Sequence, residues 1–274
     1  MLIIISVSSR ECYLFQELKN LFRAREILYM LTWRDITIRY KQSIMGLMWA
    51  ILMPTLIVIA GVLVRVAAAK YTSTAITVND LASIMVRATA WSFFISTIRF
   101  GTNSLIGNNN LVTKLAFPKE VFPLASAIAS LVDFLVAIAV VAIILLFAGW
   151  RPSFEVFWIL PIIAILFLLS AGLAMLLSAA NLFYRDVKYI VEIFLTYAIF
   201  FTPVLYEVSA SGQWANYLLA NPVSPLLEAF SDTAVRGCSP NYFWLTYSAI
   251  VAVFVSIIGY WLFKRLEANF AENI

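Results

Sequence analysis

From Val156 to Tyr184 the chain carries no charged side chain, and the same holds from Ile44 to Val64 and from Tyr242 to Phe263. Runs of this length constrain the fold more than any other feature, because about 20 apolar helical residues cross the roughly 30 Å hydrocarbon core of a bilayer. Three further runs are nearly as clean: Leu81–Phe100 apart from Arg87 and Arg99, Val121–Gly149 apart from Asp133, and Tyr189–Tyr206 apart from Glu192. Inside a bilayer every backbone donor and acceptor must be satisfied locally, so six such runs predict six transmembrane helices and an all-α integral membrane fold. The spans are placed at 44–69, 81–100, 121–149, 156–184, 189–206 and 242–263. Composition agrees: 12% of the 274 residues are charged, about half the share of a soluble domain and too few to cover one.

Around these spans the chain divides into a cytoplasmic segment 1–43, a transmembrane domain 44–264 that includes an extracytoplasmic region 207–241, and a cytoplasmic tail 265–274. Orientation follows from Lys and Arg, which collect in the cytoplasmic loops. Fourteen fall on the side that holds both termini and four on the other, so both termini are predicted to be cytoplasmic. Cys12 then lies inside and Cys238 outside, too far apart to pair within one chain. The net charge of +4 is mild and fits this orientation signal rather than nucleic-acid binding. The run Leu2–Val7 is too short for a signal peptide's apolar region, and insertion without cleavage is expected.

Several chemistries are excluded. There is no histidine, hence no histidine metal site, Ser-His-Asp triad or histidine proton shuttle. Two cysteines cannot form a zinc knot or a disulfide framework. No Gly is followed five residues later by Lys-Ser or Lys-Thr, so the chain has no phosphate-cradling P-loop. No catalytic residue, metal site or cofactor of its own is expected.

The connections hold further signals. Over Tyr13–Trp33, Leu14, Leu18, Leu21 and Leu28 share one helical face, with basic residues including Arg23 and Arg25 in the same stretch. This predicts an amphipathic helix at the membrane surface, either an anchor on anionic lipid or a docking surface for a cytoplasmic partner. After span two, Gly107–Asn110 is expected to break the helix, and Leu111–Phe117 to form a short helix stopped by Pro118. In the outer segment, Trp214–Ala220 and Val223–Phe230 read as short re-entrant or interfacial helices separated by Asn221-Pro222. Arg87 and Asp133 fall at similar depths in spans two and three and are expected to form an intramembrane ion pair. Ala171, Gly172, Ser178 and Ala179 favour close helix packing, and six spans are few for a wide conduit, so dimerisation is expected.

The chain also resembles a known family. Trp33-Arg34-Asp35-Ile36, Arg39-Tyr40-Lys41-Gln42-Ser43, Gly46, Trp49 and Pro54 resemble the approach to the first span of polysaccharide-exporting ABC permeases, the type-2 membrane subunits that move O-antigen, capsule or teichoic-acid chains. Lys114-Leu115-Ala116-Phe117-Pro118-Lys119-Glu120 with Pro123 is similar to their loop after span two. Asn181, Tyr184-Arg185-Asp186-Val187, Tyr189, Pro203-Val204 and Asn221-Pro222 are similar to their fourth-to-fifth-span region.

The resemblance implies a bacterial inner-membrane half-transporter: a homodimer working with two copies of a cytoplasmic P-loop ATPase that binds ATP and Mg. It implies coupling to that ATPase through Asn110, Leu111, Lys114, Phe117 and Lys119, with Arg185 and Asp186 nearby, and through an interface helix carrying Leu18, Arg23 and Arg25. The implied substrate is a long glycan on a lipid pyrophosphate. Arg34, Arg39 and Lys41 are candidates to attract the pyrophosphate at the cytoplasmic entrance. Trp49, Trp91, Phe94, Tyr197 and Phe201 are candidates to line the glycan conduit, since aromatic faces bind sugar C–H surfaces without holding a moving polymer. Competing readings are a type-2 exporter of small drugs or lipids, and a non-transporting membrane component of glycan assembly.

Overall fold

The structure is a computed structural model that describes residues 25–41, 48–72, 77–114, 117–147, 149–151 and 153–270. Among the described residues every regular element is helical. In chain order these are α1 (Arg25–Lys41), α2 (Met48–Thr72), α3 (Val78–Gly107), α4 (Asn109–Lys114), α5 (Val121–Phe147), α6 (Ile159–Phe183), α7 (Val187–Ala198), α8 (Ala215–Leu219), α9 (Val223–Ser231) and α10 (Tyr242–Glu267). Among the described residues four helices are long and apolar enough to cross a membrane: α3, α5, α6 together with the 3-10 turn before it, and α10.

Burial sets their order. In α3, 72% of the apolar stretch is buried, against 44% for α6, 28% for α5 and 22% for α10. Helix α3 is therefore the central pillar, α5 and α6 flank it, and α10 packs outside α6. The cause lies in the sequence, because α3 is the richest in hydroxyls. Thr89 and Thr102 donate to the carbonyls of Met85 and Ile98 one turn back, at 2.8 and 2.7 Å, and these faces turn into protein. Helix α5 presents Leu135, Ile143, Ile144 and Leu146 outward instead, a face suited to acyl chains.

Helices α6 and α10 approach through small residues. A Cβ on Gly259 would stand 2.4 Å from the Gly172 carbonyl oxygen, and Ser256 donates to the Leu168 carbonyl at 2.8 Å. Thr77 caps α3: its hydroxyl accepts from the Asp80 backbone while the Asp80 carboxylate accepts from the Thr77 backbone. Helix α3 ends at Gly107. The chain restarts at Asn109, two residues before the expected Leu111, because the Asn108 carbonyl accepts the backbone N–H groups of Leu111 and Val112.

Two sequence expectations need correction. The helix of the fifth expected span, 189–206, runs only as far as Ala198, and 12 residues extend about 18 Å. Turns fill Ile199–Tyr206. The amphipathic helix expected to end at Trp33 continues to Lys41 with no breaker among Arg34–Lys41, and it lies along α5. Leu18 and Arg23 lie outside the described residues. The two short helices expected at Trp214–Ala220 and Val223–Phe230 are present as α8 and α9, and α9 is buried almost throughout, against α3, α6 and α10. Gly237, at φ 65°, ends the π-helical turn that follows α9.

A second core closes the end of the bundle that carries α4. Leu31, Leu105, Val112, Phe122, Leu182 and Phe263 meet there, joined by Phe270 near the end of the described chain. Asn181 ties α6 to α3 by donating to the Thr102 carbonyl at 2.9 Å, and its own oxygen accepts the Lys188 backbone N–H at 3.2 Å.

Candidate functional site

Between α3 and α7 opens a groove of about 490 Å³. Its floor is Trp91 and Phe94, buried and stacked with ring centroids 5.4 Å apart. Its wall is the outward face of α7: Ile190, Ile193, Phe194, Tyr197 and Ala198 recur at helical spacing, and Phe201 follows. Tyr197 and Phe201 are 60% and 70% exposed and lie on the open side of the groove. Thr202, Asn221 and Val223 close one end, where the Asn221 amide donates to the Thr202 hydroxyl at 3.1 Å. Trp91, Phe94, Tyr197 and Phe201 thus share one groove. Of Trp49 only the backbone is described, in α2.

The same seam carries charge. Arg99 of α3 binds Glu192 of α7 through two hydrogen bonds of 2.6 and 2.7 Å, with both side chains more than two-fifths exposed. Arg99 is one residue from the end of its apolar run and Glu192 three from the start of its own, so the pair sits where the seam meets the water interface.

Arg87 and Asp133 do not pair with each other. Arg87, 1% exposed, is satisfied at the far end of the bundle from α4. Its Nη1 donates to the carbonyls of Tyr206 at 2.7 Å and Pro203 at 3.3 Å and stands 3.4 Å from Glu228, while Nε donates to the Ser83 carbonyl at 3.2 Å. The Tyr206 and Pro203 carbonyls belong to the turns after α7. The Arg87 guanidinium therefore takes the place of the helical hydrogen bonds that the chain gives up there, which lets the fifth run stop short.

Asp133 faces α1 instead. Arg39 Nη1 donates to one carboxylate oxygen at 2.7 Å and the Tyr40 hydroxyl to the other at 2.6 Å. The Arg39 guanidinium also reaches Ser130 and lies 3.7 Å from the centre of the Phe100 ring. The two side chains face different neighbours, Arg87 the turns after α7 and Asp133 the end of α1 beside Phe100, so the expected ion pair does not form. Arg39 is consequently an interhelical tie, not a free anion site. Arg34 contacts Asp35 at 2.8 Å, and Lys41 is exposed.

At the α4 end, Asn110, Lys114, Arg185 and Asp186 are exposed. Leu111, Phe117 and Lys119 are half-buried, with the Phe117 ring 5.5 Å from Phe122. Arg25, the first residue of α1, is exposed. Beneath them, Lys264 Nζ lies 3.0 Å from Glu120 and 3.0 Å from Glu267. Burial pushes the Glu120 carboxyl above its ordinary range, and the Lys264 ammonium draws it back down. Among the described residues no group of three His, Cys, Asp or Glu side chains is placed to hold a metal ion.

The model of the ABC-2 type transporter family matches residues 26–234, which covers the groove, α4 and the partners of Arg87 and Asp133. The chain belongs to that family. It is therefore a multi-pass inner-membrane protein and a transport component, not itself an enzyme. It is similar to two proteins of Klebsiella pneumoniae, each called O-antigen export system permease protein RfbA, at 28% and 26% identity over 260 residues. Both matches cover 92% of this chain and 96% of the relative. A protein of the same name from Myxococcus xanthus is 25% identical over 259 residues, covering 93% of this chain and 98% of the relative.

Proposed function

We propose that this ABC-2 permease exports a lipid-linked polysaccharide of the O-antigen type across the bacterial cytoplasmic membrane. The observation that carries the reading is the aromatic groove between α3 and α7, on a chain similar almost end to end to O-antigen export permeases. Aromatic walls with few hydrogen-bonding groups hold sugar rings by their faces and release them, which processive movement requires. A bidentate ion pair on the same seam fits a path shared with water.

In this reading there are six spans, with α2 and the α7 region as the first and fifth, and both termini are cytoplasmic. The α4 end is then the cytoplasmic end, and α8 and α9 form a re-entrant outer mouth. Two copies of the chain face each other across the groove, since one wall of an open groove leaves a polymer half in lipid. Energy comes from a separate cytoplasmic P-loop ATPase, which binds ATP and Mg and meets the exposed Asn110, Lys114, Arg185 and Asp186. The interface helix with Arg25 lies beside it. Lys41 and Arg34 attract the pyrophosphate, and Arg39 holds α1 in place for them.

Depleting the protein and assaying surface glycan together with cytosolic lipid-linked glycan tests the reading. Loss outside with finished polymer accumulating inside is expected. Loss on both sides would instead assign the chain to assembly. A groove of about 490 Å³ also has the size of a drug-sized pocket, which favours a small amphiphile as the second reading. Unchanged glycan with altered drug efflux would support it.

A further inference from the structure

The short helix α4 and the loop after it join covalently to α3 and α5, the two helices between which the core is built. The structure adds a third connection. Lys264, near the end of α10, places its ammonium 3.0 Å from Glu120 and 3.0 Å from Glu267. The second oxygen of Glu267 accepts the backbone N–H of Lys119 at 3.1 Å. Glu120 is 1% exposed while Lys264 is partly open to solvent, so removing the lysine leaves a buried carboxylate without its countercharge. Aromatic packing reinforces it: the Phe263 and Phe270 rings, both fully buried, meet edge to face at 5.2 Å.

At its other end α10 is tied again. The Tyr247 hydroxyl donates to the Ala220 carbonyl at 2.8 Å, in the connection between α8 and α9. Helix α10 has 26 residues, a rod of about 39 Å. It is the least buried of the four membrane-length helices. It packs closely on α6 through Gly172 and Gly259, and Ser256 donates to the Leu168 carbonyl at 2.8 Å, so α10 passes a displacement from one end to the other as a rigid rod carried with α6.

We propose that Lys264 is a positioning residue for energy coupling, clasping the segment after α4 to α10 so that a push on α4 reaches α8 and α9 at the far end. The proposal rests on the reading above, in which α4 meets an ATPase. The clasp puts the load of the outer helices on the ATPase stroke. Without it, α4 moves freely and ATP is spent without transport.

The test uses the complete complex of permease and ATPase in proteoliposomes, comparing wild type, Lys264→Met and the conservative Lys264→Arg, which keeps a cation facing both Glu120 and Glu267. Only complexes that assemble with the ATPase are compared, so a folding loss does not enter the rate. ATP hydrolysis per assembled complex, measured without glycan, is expected to rise about five-fold in Lys264→Met, the lower end of ordinary coupling between sites. Lys264→Arg is expected to keep the wild-type rate. An unchanged rate per complex in Lys264→Met, or an equal rise in Lys264→Arg, overturns the clasp. Glycan transport is scored separately. A wild-type complex that hydrolyses ATP but moves no glycan refutes the proposed cargo and leaves the hydrolysis comparison to decide the clasp.

Discussion

At the scale of single residues, the four lone charges in the apolar runs all have partners, and none is the partner that depth alone suggested. Arg87 serves carbonyls and Glu228, Asp133 serves Arg39 and Tyr40, and Arg99 serves Glu192. Asp133→Leu leaves Arg39 buried without its countercharge and is expected to cost about 3 kcal/mol, read as a lower unfolding midpoint in detergent. Adding Arg39→Met should recover a large part of that loss, whereas adding Arg87→Met should only deepen it. Recovery by Arg87→Met would restore the pairing that the structure rejects. That charges in the spans must be paired was legible in the sequence; the pairing was not. Tyr40 and the Tyr206 carbonyl give no sequence signal of their contacts. Arg99 and Glu192 stand in the second and fifth apolar runs, and only the packing of α3 against α7 brings them together.

Among elements, charge-free length predicts well where a helix must satisfy itself in lipid, and α3, α5, α6 and α10 lie where such runs occur. It misleads where a neighbour supplies the hydrogen bonds. The apolar run after Tyr189 continues to Tyr206, yet its helix stops at Ala198 because Arg87 caps the carbonyls beyond it. Arg87→Leu therefore does more than remove a charge: it strands the Pro203 and Tyr206 carbonyls and should loosen the turns after α7. Faster hydrogen exchange over 199–206 than over α3 would report it. Small residues were legible as packing sites in span four, but their partner Gly259 was not. Gly259→Val meets the Gly172 backbone, which cannot rotate away, and is expected to cost about 1–3 kcal/mol and part α10 from α6. Gly107→Ala, with open space around the new methyl, should leave the unfolding midpoint unchanged.

For the whole molecule, the sequence supports the membrane class, the family and the groove residues, because composition, motif order and helical spacing are all local. Trp91, Phe94, Tyr197 and Phe201 were named from the sequence together, but which of them form the buried floor and which the exposed wall depends on how α3 and α7 pack. Tyr197→Ala with Phe201→Ala removes exposed rings at no packing cost, so the variant should assemble normally and lose export by about ten-fold, roughly the value of one aromatic contact in binding energy. Phe254→Ala, equally exposed but on α10, serves as the control and should leave export intact. The most direct test of the central claim is ATP-driven movement of a lipid-linked polysaccharide by the purified permease–ATPase complex in sealed proteoliposomes. The glycan is followed by its loss of access to an external glycosidase. Protection that appears with ATP, and is lost in the Tyr197/Phe201 variant, is the predicted result. A complex that hydrolyses ATP while the glycan stays fully accessible would contradict it.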